Sequence, residues 1–214
     1  MLRLVSPSQP VGGFSYSRAM EWSVHAGTVA DEPTARTWIL GMLEHSYATL
    51  DGALFWRMME ALAAGDEHRF LHANEWLAAS RESRELELED RRMSESMLHL
   101  LCELGVEQAR AYSTKRLSYP AAFAVAANHW RIAPADALCG LMWSVVESQV
   151  AAAIRLVPLG HTDGQRILIA SGPAIERAVE KAATLEDDDI GNVAPAMAMA
   201  SAWHETQYSR LFRS

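Results

Sequence analysis

Cysteine is scarce and unpatterned in this chain. Cys102 and Cys139 are the only two among 214 residues. Neither has a CxxC partner and each stands in an apolar, helix-like context, so both are expected to be core thiols, and a disulfide framework or a cysteine metal site is excluded. Positive charge is short as well: 19 Lys and Arg against 27 Asp and Glu leave a formal charge of −8. The basic residues are scattered rather than gathered into a stripe, so no nucleic acid is expected as partner. No secretory hydrophobic segment and no long uninterrupted apolar span stands out, so no membrane is expected and the chain is read as soluble and cytoplasmic. After its first residues it has no Pro/Ser/Gly linker. With 50% of its residues apolar, one sizeable core is expected, residues 1–214 forming a single domain.

Signatures of chemistry are missing too. Gly12 and Gly13 could form a backbone nest for an anion, but their spacing matches neither a phosphate loop nor a dinucleotide fingerprint, and no Lys follows. There is no Gly-x-Ser-x-Gly elbow and no Cys/His nucleophile pattern. His204-Glu205 opens like a zinc-protease helix, but position 208 is Tyr rather than the second His, which removes that geometry. His68 and His72 are four apart, a spacing that lets two imidazoles share an ion, with Glu75 three further on. They lie in a charged stretch with no Cys or third His nearby, so solvent-facing histidines are expected. No catalytic residue, metal site or cofactor is expected.

What is present is helical periodicity. Asp31, with Pro33 behind it, starts a stripe through Ala35, Trp38, Ile39, Met42, Leu43 and Tyr47, as an N-cap followed by first-turn proline should. Asp51 to Gly65 and a run from Asp66 through Leu77 predict an antiparallel hairpin. Met93 to Leu104 before Gly105 predicts another helix, Pro120 opens one with Phe123 and Trp130, and Pro134 opens the longest, to Val157. Later helices are predicted over Gly164 to Ser171, Pro173 to Leu185 and Ala196 to Trp203. The alternation of Glu85 to Glu89 has no second strand to pair with, so no strand is expected there. The fold class is all-α: an irregular single-domain bundle with no fixed-period repeat and an extended N-terminal arm, residues 1–14, that enters a helix near Ser15 or Ser17.

Polar residues interrupt this pattern in three places. On the long helix, Glu147 and Gln149 break an apolar sequence; a buried Glu147 requires a hydrogen-bonding or cationic partner, and a structural polar knot is the favoured reading over a polar channel or a dimer seam. Ala151, Ala152 and Ala153 suit close helix approach in a dimer or in a core. The run Arg81 to Arg92 reads as a solvated helix face with Arg81–Glu85 and Glu87–Arg91 pairs. The acidic run Glu186 to Asp189 reads as a loop or helix cap.

The two ends are the unusual parts. Ser6 to Ser17, SPSQPVGGFSYS, is too rich in Pro and Gly for regular structure and carries Phe14 and Tyr16. The closing HETQYSRLFRS, His204 to Ser214, sets Tyr208 and Phe212 four apart, so one helical turn would align their rings, with Arg210 and Arg213 beside them. Aromatic rings with Arg are what binding hot spots are enriched in. Two readings follow: a tail over 204–214 that docks on a partner, ordering as it does so, or a terminal helix folded back on its own core.

PVGGFSYS followed by MEW, ASRESRELE at Ala79 to Glu87, LVPLGHTDGQ at Leu156 to Gln165 and the terminal HETQYSRLFRS together resemble the urease accessory protein UreF family, over essentially the whole chain. His161 stands where that family more often has Gln, and Ser148 where Asn is commoner. The resemblance implies a non-catalytic, all-helical homodimer that bridges a second accessory subunit, UreD or UreH, and the GTPase UreG while nickel is inserted into apo-urease. Phe14, Tyr16, Tyr208, Arg210, Phe212 and Arg213 are the expected partner contacts. An alternative role is activation of the GTPase by an inserted arginine, Arg155 and Arg210 being available.

Overall fold

Asp31 holds the chain extended and accepts from the Thr34 amide at 3.0 Å, while the Thr34 hydroxyl accepts from the Asp31 amide at 3.1 Å. This reciprocal cap satisfies amides that a helix start leaves without partners. It begins α2 in a computed structural model that describes residues 1–214, all helices and turns with no strand. The helices are α1 (Met20–His25), α2 (Glu32–Met42), α3 (Gly52–Ala64), α4 (Glu67–Ala79), α5 (Arg84–Glu103), α6 (Glu107–Tyr112), α7 (Tyr119–His129), α8 (Pro134–Leu156), α9 (His161–Thr184) and α10 (Pro195–His204). The all-α expectation holds, including the helical state of Glu85 to Glu89.

Asp66, Ser83 and Ser118 cap α4, α5 and α7 through their side chains, and Gly65 ends α3 with a left-handed φ of 70° that favours glycine. α2 and α3 are joined without a break by a π-helical stretch, Leu43–Asp51. Its carbonyls serve the loop before α10: Val193 N donates to His45 O at 3.0 Å and Gly191 N to Thr49 O at 3.1 Å. α7 is the central helix, buried on every side from Tyr119 to Ala127 and packed on α3 and α5. Phe55 of α3 meets Phe123 of α7 edge-on at 6.2 Å between ring centres. One continuous cluster of 54 buried residues runs from Leu4 to Phe212, so arm, bundle and tail share a core.

Three expectations are corrected. The helices expected over Gly164 to Ser171 and Pro173 to Leu185 are one, α9, with Pro173 inside it. Proline removes a bond to the carbonyl four residues back, here Ile169, and both residues are exposed, so water can serve that carbonyl. Arg81 to Arg92 is not a solvated face: Glu89 and Asp90 are buried, and Arg81 precedes α5, its side chain only 4% exposed. Cys139 is exposed and Cys102 half-buried, so neither lies wholly in the core. Ala152 and Ala153 are buried while Ala151 faces out, which puts most of that stripe in the protein's own interior. α8 is long and apolar enough by composition to cross a membrane, yet it packs against α9, α3 and α7.

α3, α8 and α9 approach one another closely at Gly52. A Cβ on Gly52 would stand 2.8 Å from Tyr47 O, 2.8 Å from Met142 Cε and 3.0 Å from Ala182 Cβ, closer than real contacts allow. Gly52→Ala is expected to lower stability by about 1–3 kcal/mol, read as a lower melting temperature by circular dichroism; an unchanged midpoint contradicts this packing. Burial, then the nearby carboxylates of Asp136 and Glu176, push the Cys139 thiol up. Less of it is thiolate at neutral pH, so iodoacetamide should alkylate Cys139 more slowly than free cysteine, with the rate rising at more alkaline pH; equal rates across the range contradict it.

Candidate functional site

The arm folds back on the body through apolar residues. Leu4 and Tyr16 are buried, with Val5 and Val11 packed beside them, and a 3-10 turn at Gly13–Ser15 leads into Ser17 and Arg18. Arg18 and Ala19 then turn the chain into α1 with φ of 48° and 68°. Left-handed backbone costs about 1–2 kcal/mol at each non-glycine residue, so something must hold it.

A buried ion network does so. Arg18 Nε donates to Glu89 Oε1 at 2.6 Å, Nη1 to the Tyr47 hydroxyl at 2.7 Å and Nη2 to Asp90 Oδ1 at 3.0 Å. Asp90 also accepts from Arg81 Nε at 2.7 Å, and Arg81 grips both oxygens of Asp51 at 2.6 and 3.1 Å. Burial works against a charged Arg18, but Glu89 and its neighbours outweigh it and hold the guanidinium well above the ordinary range. Burial raises the Tyr47 hydroxyl too, which keeps it a neutral donor and acceptor. Three carboxylates face two guanidinium groups, and the second oxygen of Glu89 accepts from the Ser214 hydroxyl at 2.7 Å.

That bond brings the other end of the chain into the site. Ser17 donates to Ser214 O through its amide at 2.7 Å and its hydroxyl at 2.6 Å, and Arg213 N donates to Ser15 O at 2.9 Å. Leu211 N and Phe212 N donate to the two oxygens of Glu21 at 2.6 and 2.9 Å. Phe212 is buried, with the Arg155 guanidinium 4.5 Å from its ring centre and Arg155 Nη1 donating to Phe14 O at 3.0 Å. α10 ends at His204, so Tyr208 and Phe212 do not share a helical turn. The tail instead alternates: Phe212 and Ser214 point in, Leu211 and Arg213 out.

The expected contact residues therefore divide. Phe14, Tyr208 and Arg213 are exposed, Arg210 is exposed but bonded to Glu85, and Tyr16 and Phe212 are buried. Trp203 and Leu211, not singled out from the sequence, are 50% and 58% exposed at the same end; their signal was only that of apolar residues in an aromatic tail. Glu147 is half-buried with no protein partner, and burial raises its carboxyl. Gln149 is buried with its amide oxygen unpartnered, so these two form no polar knot with each other. Both line a cavity of about 140 Å³ between the arm and α8, along with Ser148. His68, His72 and Glu75 are exposed on α4, His161 is exposed at the start of α9, and no three His, Cys, Asp or Glu are grouped to hold a metal.

Arg18→Met leaves Glu89 without its cation, and such a change costs about 3–5 kcal/mol. Urea unfolding should show that loss, with Arg18→Met/Glu89→Gln recovering part of it because the surplus buried charge is gone. A single variant as stable as the parent contradicts the network's role.

The sequence model of the UreF family matches residues 29–172. A Brucella anthropi protein named Urease accessory protein UreF 2 is 70% identical over 215 residues, covering 100% of this chain and 95% of its own. Proteins named Urease accessory protein UreF from Azoarcus sp. and Chromohalobacter salexigens are 41% and 37% identical, each over 100% of this chain and 94% and 93% of their own. The joined ends lie outside the family model's span but inside these full-length alignments. On these similarities, the chain belongs to the UreF family of urease accessory proteins.

Proposed function

We propose that this chain is a non-catalytic scaffold of urease maturation whose joined ends dock a second accessory subunit, UreD or UreH. A separate surface would meet the GTPase UreG, and a twofold homodimer would present each surface in duplicate while nickel, the cargo, is passed to apo-urease. The observation that supports the docking half is a division of labour at the ends. Tyr16, His204, Phe212 and Ser214 are buried and fix the backbone, while Phe14, Trp203, Tyr208 and Leu211 are exposed. Rings carried on a backbone that is already ordered lose little freedom on binding. The sequence suggested a tail that orders on docking; this packing favours one ordered beforehand.

The rival reading, an arginine supplied to the GTPase, has less support. Arg155 is committed to Phe14 O and the Phe212 ring, and Arg210 to Glu85. GTP turnover by UreG is expected to be the same with the parent chain and with Arg155→Ala; acceleration by orders of magnitude that needs this arginine overturns the scaffold reading.

Deleting the tail would also remove Phe212 and Ser214 from the core, so surface variants test docking more cleanly. Tyr208→Ala/Leu211→Ser is expected to weaken capture on immobilised UreD or UreH about 30-fold, as loss of a hot spot of about 2 kcal/mol does. Far-UV circular dichroism and melting should be unchanged. Equal capture rejects the docking surface.

A further inference from the structure

The chain has a formal charge of −8, yet one cavity on its surface is basic. It holds about 370 Å³ between α5 and the turn that joins α6 to α7, a size within the range of small-molecule sites. Arg91 lines it from α5, and Lys115 and Arg116 line it from the turn. Glu95 is the single carboxylate among them, and no lining residue belongs to the arm or the tail.

The turn is anchored by its backbone. Asn74 of α4 is buried; its amide nitrogen donates to Arg116 O at 3.0 Å and its oxygen accepts from Ser118 N at 2.8 Å. Lys115 N donates to Tyr112 O at 2.9 Å. The side chains of Lys115 and Arg116 are left exposed and form no ion pair.

Two polar groups of α5 in this cavity are closed to water and unsatisfied. Ser94 is 1% exposed and its hydroxyl has no hydrogen-bond partner. Arg91 Nε has none either, although Glu95 Oε1 lies 3.5 Å away. The Glu95 side chain is 67% exposed, so that pair is weak. Burying a donor without an acceptor costs stability, and both groups can donate. Three cations and a hydroxyl, reaching in from two elements, call for an anion with acceptors in more than one plane. A carboxylate has two oxygens in one plane, whereas a phosphate group has at least three in a tetrahedral arrangement that arginine recognises through paired N–H bonds.

We propose that this cavity binds a phosphate group, free or carried by a nucleoside, with charge supplied by Arg91, Lys115 and Arg116 and a hydrogen bond by the Ser94 hydroxyl. The site is independent of docking at the ends.

Calorimetry on the full chain tests it, with sodium phosphate, adenosine monophosphate or sodium chloride titrated at matched ionic strength. Saturable binding is expected for a phosphate compound and not for chloride. Tighter binding of inorganic phosphate marks the free ion as ligand, and tighter binding of adenosine monophosphate marks a phosphorylated nucleoside. Lys115→Gln/Arg116→Gln should raise Kd about tenfold or more and Ser94→Ala about threefold or more, both with melting no lower than the parent's. Cys102 is half-buried in the same cavity and gives a second readout. Iodoacetamide should alkylate it more slowly in saturating ligand, while Cys139, which lies outside the cavity, reacts at an unchanged rate. The proposal is overturned if neither phosphate compound binds saturably, if the variants bind as the parent does, or if Cys102 is alkylated equally with and without ligand.

Discussion

The rest of the structure depends on closing a buried set of charges. Arg18, Arg81, Asp51, Glu89 and Asp90 are all withdrawn from water, and each would be costly alone. Their arrangement leaves no guanidinium without a carboxylate, and Asp90 bridges the two arginines. Because the members come from the turn before α1, the end of the π-helical stretch, the turn before α5 and α5 itself, satisfying the charges fixes how those segments lie. The network is also short of positive charge, and the free oxygen of Glu89 is met by the last residue, Ser214. The end of the chain thus completes its interior.

Two tethers then act in series on the tail. His204 and Arg210 hold its start to Glu21 and Glu85, and Ser17 and Glu89 hold its last residue. Between them Phe212 is enclosed by its own chain and its ring takes the Arg155 charge, which also fixes the backbone at Phe14. Arm and tail are ordered by the same few contacts. Their exposed rings inherit that order.

Much of the bundle was legible in the sequence because helix starts and stops are local. Asp31 with Pro33, Pro120, Pro134 and Gly65 all signal through neighbours within one turn. Pro173 misled for a physical reason: a proline costs a helix little where the lost bond faces water. The charged network was illegible because its partners lie far apart in sequence, Arg18 being 71 residues from Glu89 and Arg81 30 from Asp51; the run around Arg81 to Arg92 therefore looked like an ordinary wet helix face. The tail was legible as aromatic and cationic, but which rings point inward depends on Glu21 and Ser17 at the opposite end of the chain.

The chain belongs to the UreF family, and both of its ends pack on its own core. The central physical claim is that these ends are organised by the chain itself, before any other component arrives. Nuclear Overhauser contacts in the free, full-length chain test it most directly. The account predicts contacts between the Phe212 ring and the Arg155 side chain, and between Ser17 and Ser214, with no partner present. Sharp, random-coil signals for residues 205–214, with those contacts missing, would contradict it.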